Sequence, residues 1–105
     1  KQAALHDYKR AIALNPQLAI AYNNRGLVKA DLGQKQAALQ DFERAIALNP
    51  QDAEAYVERG IVKSALGQKQ AALQDMSAAA ELFRKQGRMD LYQKAMGIIA
   101  KLKGN

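Results

Sequence analysis

Between Lys35 and Leu48 the apolar residues Ala38, Leu39, Phe42, Ala45 and Ile46 return at intervals of three and four, with Gln40, Asp41, Glu43 and Arg44 outside the stripe. That spacing predicts an amphipathic α-helix with one buried stripe and a polar back. The same stripe recurs at Ala4, Leu5, Tyr8, Ala11 and Ile12, and another forms at Leu91, Ala95, Ile98, Ile99 and Leu102. Punctuation divides the chain between the stripes. Asn15-Pro16 and Asn49-Pro50 end helices, because the residue before proline is pushed out of the α region. Leu32-Gly33 and Leu66-Gly67 end others, glycine being suited to the left-handed position after a helix C-terminus. Gly87 breaks a longer one. Six helices are expected, near 1–14, 17–32, 35–48, 51–66, 69–86 and 89–103. Composition agrees with an all-α fold: 21 of the 105 residues are Ala, three are Val and none is Thr, so strong helix formers dominate.

The helices are copies. Thirty-four residues separate Pro16 from Pro50, Arg25 from Arg59, Gly26 from Gly60 and Gly33 from Gly67. Residues 1–16 and 35–50 differ only at His6/Gln40, Tyr8/Phe42 and Lys9/Glu43, and 17–50 shares 20 of 34 positions with 51–84. A fixed period of this length marks a solenoid of stacked helix pairs that presents an extended binding surface. Gly26 and Gly60 fall in mid-helix, where glycine costs about 1 kcal/mol relative to Ala. Close approach of a neighbouring helix accounts for that cost, with Ala38 and Ala72 expected as the small facing residues.

Tyr22, Arg25-Gly26, Lys29, Ala38, Phe42 and Pro50, followed by Tyr56, Arg59-Gly60, Lys63, Ala72 and Met76, follow the spacing of the tetratricopeptide repeat. The chain resembles that family over residues 1–84. The resemblance implies an all-α, right-handed α-solenoid of antiparallel helix hairpins, each made of an A and a B helix. It divides the single domain 1–105 into a B-helix half repeat (1–16), two repeats (17–50 and 51–86) and a C-terminal capping helix (87–105). The chain starts inside a repeat without Met, which reads as a fragment or a processed chain.

Where the family usually carries Leu and Tyr, this chain has Arg25 with Lys29 and Arg59 with Lys63. These form either a basic ladder for an acidic ligand or a seam of semi-buried cations facing Asp7, Asp41 or Asp75. The seam is the favoured reading, since a recurrent carboxylate is what a semi-buried Arg requires. Relatives that grip acidic chaperone tails carry a two-carboxylate clamp of Lys and Asn, then Asn, then Lys and Arg. On this register the first pair falls at Asn23 and Leu27 and the middle Asn at Glu58, or at Asn24 if the frame slides one repeat. Glu54 and Glu58 would repel an acidic tail, so no such clamp is expected.

The resemblance also implies a concave groove lined by Ile20, Asn23, Asn24, Leu27 and Asp31 from one A helix and Glu54, Val57, Glu58, Ile61 and Ala65 from the next. Ile20, Leu27, Val57 and Ile61 would leave an apolar stripe exposed, which marks an interaction surface. The expected partner is another protein or peptide, neutral or basic with apolar anchors.

Net charge is +6, but residues 1–83 hold ten Lys or Arg against nine Asp or Glu while 84–105 hold six against one. The basic residues of the tail, Arg88 among them, read as a solvated cap. No nucleic-acid motif accompanies them, so weak phosphate attraction through the tail is the lesser alternative and specific nucleic-acid binding is not expected. Without Cys there are no disulfides or thiolate chemistry, and the compartment stays open. No apolar run approaches the ~20 residues of a membrane span. His6 is a surface residue, Ser64 and Ser77 lack a base, and no phosphate loop or metal-ligand cluster is present, so neither catalysis nor a cofactor or metal is expected. Self-association is the rival to heterotypic binding: the stripe Ala4, Leu5, Tyr8, Ala11 and Ile12 is left partly uncovered, and upstream repeats or a C2-related copy would hide it.

Overall fold

A computed structural model describes residues 2–104. Six α-helices, and no strand among the described residues, follow in the order α1 (Gln2–Leu14), α2 (Ala19–Asp31), α3 (Lys35–Leu48), α4 (Ala53–Ala65), α5 (Lys69–Lys85) and α6 (Met89–Gly104). They form two compact units that meet in sequence at Pro50 and Gln51, the first holding α1 to α3 and the second α4 to α6.

α2 and α4 start two residues later than expected. Proline is tolerated in a first helical turn, but here Pro16 and Pro50 lie in the preceding turns. The Asn15 side chain accepts from the Gln17 amide at 3.1 Å, an Asx turn that holds this segment outside the helix. The cap positions are Leu18 and Asp52, and Asp52 accepts from the Ala55 amide at 3.3 Å, a side-chain N-cap that α2 lacks.

Helix ends follow the glycines. Gly33 has φ +82°, and the Gln34 amide reaches the Lys29 carbonyl while the Gly33 amide reaches Ala30, the paired bonds of a Schellman cap. The same arrangement ends α5: Gly87 has φ +73°, with the Arg88 amide on Phe83 and the Gly87 amide on Arg84.

In the first unit α2 packs on α3 and on α1. Ala38, Phe42 and Ala45 of α3 are fully buried. A Cβ at Gly26 would stand 2.7 Å from Phe42 Cε1 and 3.2 Å from Asp41 Cβ. The residues facing Gly26 are therefore one turn beyond Ala38, which corrects the small-on-small expectation. Gly60 comes nearer to it, with Met76 Cε at 3.1 Å, Asp75 Cβ at 3.2 Å and the Ala72 carbonyl oxygen at 3.3 Å.

In the second unit a core of Ala53, Met76, Ala79, Ala80, Phe83, Ala95 and Ile99 joins the three helices, and Leu91, Ile98 and Leu102 pack against it. The α6 stripe read from the sequence covers α5 within the same chain.

Candidate functional site

The cations that distinguish these repeats are spent inside each hairpin. Arg25 donates from Nε and Nη2 to Asp41 Oδ2 and Oδ1 at 2.8 and 2.7 Å, and Lys29 Nζ lies 3.2 Å from Oδ2. The second unit repeats the geometry with Arg59 on Asp75 at 2.9 and 2.7 Å and Lys63 at 3.2 Å. Asp41 and Asp75 are 4 % and 3 % exposed, so Asp41 is not on the polar back where the stripe had placed it. Three donated contacts offset the desolvation of a carboxylate that its own helix presents to the seam. The hydrogen bond to Asp41 raises Arg25 above its ordinary pKa against the opposing effect of burial. Asp7, at the same repeat position, is exposed. The seam reading holds for Arg25 and Arg59, and neither forms a free basic ladder.

The residues expected to line a groove are distributed as follows. On α2, Ile20 is 64 % exposed and Leu27 37 %; Asn24 is half-buried and Asp31 exposed. Asn23 is buried, its Oδ1 without a hydrogen-bond partner. On α4, Ile61 is 52 % exposed, and Ala65 and Glu54 are also exposed. Val57 is not part of an exposed stripe, because it packs against the core of its unit, and Glu58 is half-buried. On α1, Ala4, Leu5, Tyr8, Ala11 and Ile12 are all half-buried, and the helix has no buried residue.

Only part of the expected set converges on a cavity. Glu54, Val57 and Glu58 of α4 meet Phe83 of α5 and Leu91, Lys94, Ala95 and Ile98 of α6 around a space of about 200 Å³ with largely apolar walls. Ile61 and Ala65 do not line it. Its α6 wall escaped sequence reasoning, which had placed those residues in the capping stripe or the solvated tail.

One edge of this site is fixed electrostatically. Arg88 donates from Nη1 and Nη2 to Glu54 at 3.1 and 2.6 Å and lies 5.1 Å over the Phe83 ring. Gln86 Nε2 donates to the Gln51 carbonyl at 2.9 Å. Arg88 is therefore not a solvated tail charge, and the α5–α6 turn is tied to the start of α4. The hydrogen bond from Arg88 holds the Glu54 carboxyl below the usual range. A depressed carboxylate pKa stabilises the fold above its unfolded-state pKa, and the contribution is lost as pH falls through the folded value. Amide exchange in α6 is expected to accelerate as pH falls below the ordinary glutamate range, after correction for intrinsic exchange. Glu54→Gln should remove that pH dependence, and hydrogen-exchange mass spectrometry of both proteins checks it.

Among the described residues no group of three His, Cys, Asp or Glu is placed to hold a metal ion, and no helix is long and apolar enough to cross a membrane.

A tetratricopeptide repeat model matches residues 1–55, and a second one matches residues 42–74. The chain belongs to the tetratricopeptide repeat family. Comparison with curated proteins by sequence gives no match. Solved structures share the fold at low identity. PcrH in complex with the chaperone binding region of PopD is 16 % identical, with a TM-score of 0.93 over 98 % of this chain and 78 % of that one. The type III secretion translocator chaperone SycD of Yersinia enterocolitica is 13 % identical, with a TM-score of 0.91 over 97 % and 71 %. The first such domain of Spaghetti, bound to the HSP90 peptide SRMEEVD, is 23 % identical, with a TM-score of 0.84 over 95 % and 75 %.

Proposed function

We propose that this chain is a protein-interaction module, not an enzyme, that holds a peptide or helix of another protein on its A-type helices, α4 of the second unit carrying the anchor site. The carrying observation is the apolar cavity between α4 and α6, with Glu54 and Glu58 in its lining. A cavity of that size accepts one bulky apolar side chain, and Glu54, although held by Arg88, and Glu58 in its lining disfavour a neighbouring Asp or Glu. Ile61 on α4, and Ile20 and Leu27 on α2, supply further apolar contact within their own units. Spaghetti, PcrH and others of the same fold are complexed with peptide or protein segments, which supports the general class of activity.

The partner is neutral or basic with apolar anchors. It is not an acidic chaperone tail: Arg25, Lys29, Arg59 and Lys63 are committed to Asp41 and Asp75, and the α4 side of the cavity carries two carboxylates.

A random heptapeptide library selected on the protein is expected to enrich bulky apolar residues next to Lys or Arg and to deplete Asp and Glu. Val57→Phe, which fills the cavity from its α4 wall, should weaken the selected peptides about tenfold without lowering the melting temperature. Enrichment of acidic peptides, or chemical-shift changes that spare Leu27, Val57 and Ile61, would contradict this reading.

A further inference from the structure

Arg88 is held as a ligand would be. Its guanidinium donates to both carboxylate oxygens of Glu54 at 3.1 and 2.6 Å and to Gln86 Oε1 at 3.2 Å, and it lies 5.1 Å over the Phe83 ring. A two-oxygen acceptor matched to the planar fork, together with an aromatic face, is how proteins read arginine. The cradle does not depend on Arg88 for its shape. Gln86 Nε2 donates to the Gln51 carbonyl at 2.9 Å, which orients the amide, and Phe83 is fixed in the core of its unit.

The repeat does not account for this arrangement. One period earlier, Glu54, Phe83 and Gln86 correspond to Ile20, Asn49 and Asp52, so the three groups come together once. The cradle also opens outward: the Arg88 and Glu54 side chains keep 38 % and 49 % of their exposure, while Phe83 beneath the guanidinium is 2 % exposed. Glu54 and Phe83 line the apolar cavity as well, so cavity and cradle share a wall. An ion pair this exposed contributes little to the fold, and an incoming guanidinium displaces it at small cost.

We propose that Glu54, Phe83 and Gln86 form a guanidinium site in which Arg88 stands in for an arginine of the bound partner. A segment seated by its apolar anchor in the cavity places its own arginine on Glu54, and Arg88 swings out to water. This rests on the cavity being the anchor site. In the wild type the incoming arginine gains what Arg88 loses, apart from the hydration Arg88 recovers, so only part of the cradle's worth appears as affinity. Arg88, held at high local concentration by its own chain, is the competitor that sets how strongly arginine is preferred.

The probe is Nα-benzoyl-arginine amide, which joins an aromatic group to a guanidinium, and its citrulline analogue keeps the shape without the charge. Arg88→Ala removes the competitor, and α6 stays seated through Ala95 and Ile99. In NMR titrations the arginine probe is expected to bind Arg88→Ala about tenfold more tightly than the wild type, and the citrulline analogue should gain far less. Adding Glu54→Gln to Arg88→Ala should abolish the gain. In the wild type, saturation with the arginine probe should move the Arg88 Nε–H resonance toward that of a solvated arginine, a readout that needs no variant.

An equal gain for both probes would mean only a widened cavity and would overturn the proposal. So would no gain, a gain that survives Glu54→Gln, or an Arg88 resonance that stays in place at saturation. If the citrulline analogue binds and the arginine probe gains nothing, the guanidinium site fails while the cavity reading stands; binding of neither probe to any variant removes both.

Discussion

Asp41→Ala is expected to lower stability by about 3 kcal/mol, whereas Asp7→Ala, at the same repeat position, should change it by less than about 0.5 kcal/mol. The asymmetry follows from surroundings, since the residue type is identical. Removing the Asp41 carboxylate leaves the Arg25 and Lys29 cations together in a seam where their side chains keep 20 % and 21 % of their exposure. That residual access to water places the loss at the lower end of the range for a broken buried pair. Asp75→Ala should match Asp41→Ala. Arg25→Leu should cost less than Asp41→Ala, because Lys29 still faces the carboxylate. Thermal and urea unfolding of the four variants checks the series. If Arg25→Leu left stability unchanged or raised it while abolishing peptide binding, the seam would be a ligand site instead. Replacing Arg25, Lys29 and Asp41 together by apolar residues should recover much of the loss, as wholesale replacement of buried ion clusters commonly does.

Gly26→Ala should destabilise by up to about 2 kcal/mol, while Gly60→Ala should lie within about 1 kcal/mol of neutral. In a helix interior Ala is favoured over Gly by about 1 kcal/mol, so both substitutions begin with the same gain. The new methyl at Gly26 would stand 2.7 and 2.9 Å from two atoms of the Phe42 ring, which is fully buried. An enclosed ring cannot turn away, and overpacking costs about 1–3 kcal/mol. At Gly60 the first atom met is the terminal methyl of Met76 at 3.1 Å, the end of a side chain with three rotatable bonds. Phe42→Met should therefore make Gly26→Ala tolerable, and a double-mutant cycle on Gly26 and Phe42 should show coupling of the opposite sign to the single-site loss. Equal effects at the two glycines would mean that the ring relaxes as freely as the thioether.

The helix order, the turn glycines and the pairing of Arg25 and Arg59 with aspartate could be read from the sequence, because each recurs at a fixed period and recurrence separates architecture from accident. Asp41 was placed on the wrong face for a physical reason. A carboxylate reads as solvent-facing unless its cations are known to reach it, and those cations lie sixteen and twelve residues earlier on another helix. The starts of α2 and α4 are displaced because proline is compatible with both a first helical turn and the turn before it; Leu18 carries no capping signal, whereas Asp52 marks the start of α4. Of the α4–α6 cavity, the repeat register supplied Glu54, Val57 and Glu58. Leu91, Lys94 and Ile98 could not be assigned to it, because their helix has no copy elsewhere in the chain to calibrate its rotation. For the same reason Arg88 read as a tail charge, although it reaches Glu54.

The glycine that closes α5 also shifts the reading frame of the array. α2 and α4 start 34 residues apart, at Ala19 and Ala53, whereas α6 starts at Met89, two residues beyond the next multiple. At the 34-residue spacing the Asn-Pro punctuation would fall at positions 83 and 84, inside α5, which runs to Lys85. Lengthening the array therefore requires splicing at Asn49-Pro50, where the period is intact, or removing two residues around Gly87, so that the α5–α6 junction acts as a frameshift written in structure.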